Sequence, residues 1–181
     1  SLGRNLDAPD PNPFADIYVR DLGSATTRRV SVATDGNQGI GDNIVPSLSA
    51  DGRFVSFASS DSLLVQGDTN GQFDSFVHDL ETGITERISV TSAGVQASGG
   101  LSSAGALDAE GRHVAFSSGA ENLVGGDENA VSDVFVHDRL AGITRRVSLR
   151  ATGEEASGQS QGPVDLSADG RSVAFGSDDG E

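Results

Sequence analysis

What most constrains this chain is a repeat distance. The skeleton Asp-x-Asn-x-x-x-Asp begins at Asp68 and again at Asp127, 59 residues on, with a worn copy from Asp10, 58 residues before Asp68. In each copy an aromatic and Val follow the last Asp by two and three residues, and a further Asp closes the run. A second, unrelated marker keeps the same step. Ser-Ala-Asp-Gly-Arg ends at Arg53, returns as Asp-Ala-Glu-Gly-Arg ending at Arg112, and returns again as Ser-Ala-Asp-Gly-Arg ending at Arg171. Two unlike motifs that share one period mean tandem structural units, each too small to bury a core alone.

Within a period the chain predicts four short strands. The first covers 44–49, with weaker echoes at 103–108 and 162–167. An Asp-Gly or Glu-Gly hairpin turn, which uses the freedom of Gly at positive φ, leads to the second at 53–59, 112–118 and 171–177. In that strand Val55 with Phe57, Val114 with Phe116, and Val173 with Phe175 share one face by period two. The third strand is expected at 16–21, 74–79 and 133–138, and the fourth at 27–33, 85–91 and 144–150. No window carries a helical period. Four strands per repeat joined by short hairpins is the pattern of propeller blades, with a four-stranded solenoid as the alternative.

The residues quoted so far, with Thr-Gly-x-Thr-x-Arg-(Ile/Val)-Ser after them, resemble the TolB-like (WD40-like) β-propeller repeat of secreted and periplasmic bacterial proteins. The resemblance runs along essentially the whole chain. It implies four-stranded blades, six to a ring in the best-known members, and a secreted or periplasmic setting. About three blades' worth is present here. The expected units are a half-blade of third and fourth strands at 1–43, whole blades at 44–102 and 103–161, and a half-blade of first and second strands at 162–181. The opening Ser reads as a processed product or an excised piece.

Charge narrows the partners. The net charge is −15 and all positive charges are Arg. Such a chain repels phosphate backbones, which argues against nucleic acid and anionic membranes, and it attracts divalent cations. Cys is absent, so disulfides and thiolate sites are excluded. No apolar run approaches the roughly 20 residues of a membrane span. The links after the second and fourth strands are long, and in an up-and-down blade both emerge on one face. That face is predicted to carry Asp35, Asp42, Asp61, Asp68, Glu121, Asp127, Glu128, Glu154, Glu155, Asp178 and Asp179.

Candidate chemistry follows from the same motif. Asp68, Asn70 and Asp74 place three oxygen side chains at positions one, three and seven of a loop, and Asp127, Asn129, Asp133 and Asp10, Asn12, Asp16 repeat the set. Ca2+ takes six to eight hard oxygen ligands, and such a spacing wraps it. Against calcium, position five has no acid, position six no Gly, and Asp79 lies too far along an extended strand to reach the same ion; the reading these favour is that Asp and Asn cap turns by bonding their own backbone. His78 and His137 are repeat equivalents in different blades and His113 reads as a lone surface residue, so a His-based catalytic centre is not expected. The Ser-Ala-Asp-Gly turn differs in spacing from a glycosidase Asp-box. Of the acids, Glu154 and Glu155 stand out as unrepeated. The function expected is a non-catalytic binding or scaffold module with an acidic, calcium-binding loop face and a protein or glycan partner. The rivals are the propeller portion of a larger secreted enzyme, a peptidase or glycan-active one, and a self-assembling unit. In that last case the half-blades complete one another between copies as a six-bladed dimer, or join neighbouring blades of a longer chain.

Overall fold

The computed structural model describes Leu6 and residues 12–178. These residues form twelve strands and no helix, so no helix is long and apolar enough to cross a membrane. Strands β3 (Asn43–Leu48), β4 (Phe54–Ser59), β5 (Asp74–Asp79) and β6 (Thr85–Arg87) make one antiparallel sheet in chain order. Strands β7 (Ser102–Ser103), β8 (His113–Ser118), β9 (Asp133–Asp138) and β10 (Ile143–Arg146) make a second in the same order. A two-stranded sheet of β1 (Tyr18–Asp21) and β2 (Thr26–Arg29) precedes them, and one of β11 (Ser160–Leu166) and β12 (Val173–Ser177) follows. The protein is therefore all-β, built of four-stranded antiparallel blades of the β-propeller kind.

Period-two alternation decides which core each side chain joins. Val55, Phe57 and Phe76 face back onto Ile17 and Val30, which flank the β1–β2 sheet, with Leu64 closing the cluster. From the opposite face of the same blade, Phe54, Val77 and Ile88 meet Leu107, Val114, Phe116 and Phe135 of the next. Ala115 and Val136 then face Leu166, Val164 and Val173. Inside each blade a Phe pair sits at matched register on the two middle strands, Phe57 opposite Phe76 and Phe116 opposite Phe135. Their ring centroids lie 5.9 and 5.7 Å apart. All four are fully buried, which contributes about 1.5–3 kcal/mol each.

The predicted strand limits shift at two places. The fourth strand ends at Arg29, Arg87 and Arg146 rather than running to 33, 91 and 150. There the backbone bulges, with Ile88 N and Ser89 N both pointing at Ser75 O, and the chain folds back through isolated pairings such as Val90 with Gln96. The first strand of the second whole blade shrinks to two residues. At Gly105 the backbone lies so close to Ala115 O that a side chain has no room, and Gly105 O accepts the Ser56 hydroxyl at 2.6 Å from the neighbouring blade.

An ion pair closes the far end of each whole blade. Arg53 donates Nε and Nη2 to Asp79 Oδ1 and Oδ2 at 2.9 and 2.7 Å, and Arg112 does the same to Asp138 at 3.0 and 2.7 Å. These donors hold both carboxyls far below their usual 3.8. A carboxyl depressed in the fold stabilises it above the unfolded value, and that contribution is lost as pH falls through 3.8 and below. Thermal melts between pH 5 and about 2 are expected to show a steep fall in Tm that becomes shallower in Asp79→Asn/Asp138→Asn. An unchanged slope in the double variant contradicts the assignment.

Candidate functional site

The repeated Asp-x-Asn-x-x-x-Asp segment forms a compact knot of polar side chains at the entry to the third strand. Its Asn makes an Asx turn, accepting the amide two residues on: Asn12 from Phe14, Asn70 from Gln72 and Asn129 from Val131, at 2.9, 2.9 and 3.0 Å. The Asn amide nitrogen then donates to a carbonyl on the link leaving the fourth strand, Gly39, Ala97 or Ala156, at 2.8, 3.1 and 3.0 Å. In the two whole blades it donates also to Asp74 and Asp133 Oδ2, at 2.9 and 3.0 Å. The two long loop classes are thus stapled together on one face.

The last Asp of the motif is the hub. Asp16, Asp74 and Asp133 are buried and accept the hydroxyls of Ser31, Ser89 and Ser148. Each Ser oxygen in turn accepts a strand amide, that of Ile17, Ser75 or Val134. The other carboxylate oxygen faces Arg29 Nε, Arg87 Nη1 or Arg146 Nη1 at 3.3 Å in every copy. The first Asp of the motif, Asp68 or Asp127, meets the same Arg87 or Arg146 nitrogen at 3.4 Å. Of the nine residues the spacing assigns to calcium, eight lie in these knots, and Asp10 falls outside the described residues. In each knot an arginine faces the carboxylates. The turn-capping role and the arginine were both available in the sequence: Arg29, Arg87 and Arg146 recur at the blade period, two residues before the Ser.

The third copy differs from the other two. Where the earlier copies carry Gln38 and Gln96, it has Glu155, whose carboxylate contacts Arg146 and accepts Glu128 N at 3.2 Å. Oxygens of Asp127, Asp133 and Glu155 lie within 4.8 Å of one another. The Asp127 side chain is 3% exposed, and its Oδ1, which faces Arg146 Nη1 at 3.4 Å, makes no hydrogen bond. Burial first, with the Asp133 and Glu155 charges adding to it against the Arg146 cation, pushes its carboxyl up to about 6.

The acidic face is thinner than the sequence suggests. Asp61 is buried and caps Leu63 N, while the Asp68 and Asp127 side chains are taken up by arginine. Exposed acids on this face are Asp35, Asp42, Glu121, Glu128, Glu154 and Asp178, with Glu155 half-buried and Asp179 outside the described residues. His113 is not a lone surface residue. It is half-buried, with Nδ1 2.7 Å from Asp108 and Nε2 3.5 Å from Asp138. His78 and His137 are buried against Thr85 and Thr144, whose hydroxyls donate to Val32 O and Val90 O of the preceding unit. Each Thr proton being used, the His Nδ1 is the donor, and burial lowers both imidazole pKa values below 6.5. Where β3, β7 and β11 converge lies a groove of 520 Å3 lined by Val45, Leu101, Ala104, Gly162 and Pro163 among others, with no His.

No family model matches this sequence, and no curated protein matches it. Among solved structures the chain is similar to a prolyl endopeptidase at 14% identity and TM-score 0.49, over 88% of this chain and 22% of that one. It is similar to a putative TolB from Agrobacterium tumefaciens at 15% identity and TM-score 0.44, over 90% and 61% of the two chains. For an oligogalacturonate lyase in complex with manganese the values are 12%, 0.43, 89% and 37%. The chain spans less than two thirds of the length of each.

A buried carboxylate shared by arginine, serine and asparagine is expensive to remove, because its partners stay behind unpaired. Asp74→Ala and Asp133→Ala are each expected to cost about 3–5 kcal/mol of unfolding free energy in urea. The exposed Glu154→Ala is expected to stay within about 0.5 kcal/mol of the parent. Similar values for all three variants contradict the hub.

Proposed function

We propose that the chain is a non-catalytic binding module of the β-propeller kind, secreted or periplasmic, that takes a basic protein surface on its loop-rich face. One observation carries this reading. The repeated acids of the loop-rich face are absorbed by the fold, while Glu121, Glu128 and Glu154 stay exposed on loops tied down by the Asn129 bond to Ala156 O and the Asn122 bond to Gln96 O. A pre-ordered, mainly acidic face, with Arg150 exposed among the acids, steers and selects an oppositely charged partner. The secreted or periplasmic setting rests on the repeat resemblance.

The test uses a Lys/Arg-rich peptide as probe, with a neutral peptide of equal length as control. Binding of the basic probe is expected to weaken steeply between 50 and 300 mM salt, as about one Debye length of screening dictates. In Glu121→Gln/Glu128→Gln/Glu154→Gln it is expected to weaken about tenfold or more. Equal binding of both peptides, or an unaffected triple variant, overturns the reading. So does hydrolytic turnover on a peptide or glycan panel that is lost in Glu155→Gln.

Calcium is a second reading, and the third copy favours it. Three carboxylates and the Gly126 carbonyl, which accepts Arg146 Nη2 at 2.8 Å, converge there, and the buried Asp127 Oδ1 makes no hydrogen bond. Ca2+ would take the place of the Arg146 contact, and ligand bound only to the fold raises Tm by mass action. A rise in Tm at millimolar calcium that disappears in Glu155→Gln is the expected outcome. An unchanged Tm removes calcium from the account and leaves the binding face untouched.

A further inference from the structure

The Asn staple is built three times, and the residue that follows it differs each time: Pro13, Gly71 and Ala130. Asn70 is the single Asn of the chain that precedes a Gly. The turn itself is shared by the two whole blades. Gly71 and Ala130 both sit in the left-handed region, at φ 64° and 56°, and Gln72 N and Val131 N donate to the Asn oxygen at 2.9 and 3.0 Å. What differs is the chemistry of one backbone nitrogen.

An Asn side chain can be lost to its own backbone, when the amide nitrogen of the next residue attacks the side-chain carbonyl carbon and closes a five-membered ring. Proline has no N–H to give up, so Pro13 protects Asn12. At Ala130 the Cβ obstructs the backbone swing that brings nitrogen to carbon, whereas Gly71 moves with little steric resistance. Gly71 is also exposed, and a Cβ there would meet nothing within 4 Å. Its nitrogen donates no hydrogen bond among the described residues, so the nucleophile is open to solvent base. The electrophile is prepared as well. Gln72 N donates to Asn70 Oδ1, where negative charge develops as the ring closes.

We infer that Asn70 is a site of spontaneous deamidation, at which the chain severs one staple of its loop-rich face. Solvent hydroxide takes the Gly71 amide proton, and Gly71 N forms a bond to Asn70 Cγ. The Cγ–Nδ2 bond then breaks, and Nδ2 takes a proton from water and leaves as ammonia. A second water opens the resulting succinimide. Breaking the bond between Cγ and Gly71 N gives Asp. Breaking the bond between the Asn70 backbone carbonyl carbon and Gly71 N gives isoaspartate, whose chain runs through the side chain. In sum, an amide and a water become an acid and an ammonia, with no change of oxidation state.

The product cannot hold the staple. Asn70 Nδ2 donates to Asp74 Oδ2 at 2.9 Å and to Ala97 O at 3.1 Å, and a carboxylate in its place offers both acceptors only another acceptor. It also sets a further negative charge against the buried Asp74, whose arginine partner, Arg87, is already shared with Asp68. The tie between the two long loops of the first whole blade opens, while the Asn129 tie to Ala156 O stands.

The test incubates the folded chain in neutral and in mildly alkaline buffer and reads each Asn by peptide mapping. Asn70 is expected to become a mixture of Asp and isoaspartate, faster at the higher pH because hydroxide is the base, with an equal amount of ammonia released. Asn129 is expected to stay an amide over the same time. Gly71→Ala is expected to suppress the conversion and keep the fold, since Ala130 holds the same turn in the other whole blade. Ala130→Gly is expected to make Asn129 a second site. Asn70→Asp, which carries the product's charge from the start, is expected to melt below the parent. Asn70 that persists in the folded chain, or converts no faster than Asn129, or converts only in urea, overturns the inference. So does a conversion that Gly71→Ala leaves unchanged, an Ala130→Gly chain whose Asn129 stays an amide, or an Asn70→Asp chain with the parent's Tm.

Discussion

Each repeat depends on one buried carboxylate. Asp74 and Asp133 are wholly inaccessible to solvent, and an ion there costs several kcal/mol unless its lone pairs are filled and its charge is met. The chain fills them from three directions. A hydroxyl comes from just past the fourth strand, an amide from the preceding loop and a guanidinium from the end of the fourth strand. Satisfying one charge therefore fixes where the fourth strand stops, where the loop enters and how the blade meets its neighbour. The bulge at Ile88 and Ser89 is the backbone consequence, since Ser89 must turn its oxygen toward both Asp74 and the Ser75 amide.

That constraint separates scaffold from surface. Acids of the Asp-x-Asn-x-x-x-Asp motif are spent inside the blade, together with the arginines that face them, while the recurring turn acids Asp51, Glu110 and Asp169 stay exposed at the hairpins. What remains for recognition is a rim of unrepeated or loop-borne acids, Glu121, Glu128 and Glu154, on a face whose backbone the Asn staples order in advance. A pre-ordered charged rim loses little conformational entropy on binding. The third copy strains the same design, because Glu155 adds a carboxylate that Arg146 must share with Asp127 and Asp133.

Much of this was legible from residue spacing. The 59-residue step, the four strands per step and the facing of Val55 with Phe57 all follow from periodicity, which is a backbone property. The donors to Asp74 were not found, although Arg87 and Ser89 keep the same period, because they lie thirteen and fifteen residues away. Spacing along one loop suggests an ion, and it leaves out the arginine that stands beside the carboxylates, Arg87 or Arg146 of the adjacent strand. The acidic face was overcounted for a related reason: exposure of Asp61 and Asp68 depends on tertiary partners, and composition carries no trace of those. His113 was misplaced because its partner Asp108 replaces the Ser found at Ser49 and Ser167, a change within the turn that alters what the neighbouring strand can bond.

The hub is tested most directly by native-state hydrogen exchange at the amides of Ile17, Ser75 and Val134, which donate to Ser31, Ser89 and Ser148 beside the buried carboxylates. If the carboxylate organises the blade, Ser75 and Val134 exchange only through global unfolding, with the same opening free energy and denaturant dependence as mid-strand amides such as Phe76 and Phe135. Exchange through a local opening of lower free energy, independent of denaturant, would contradict the account.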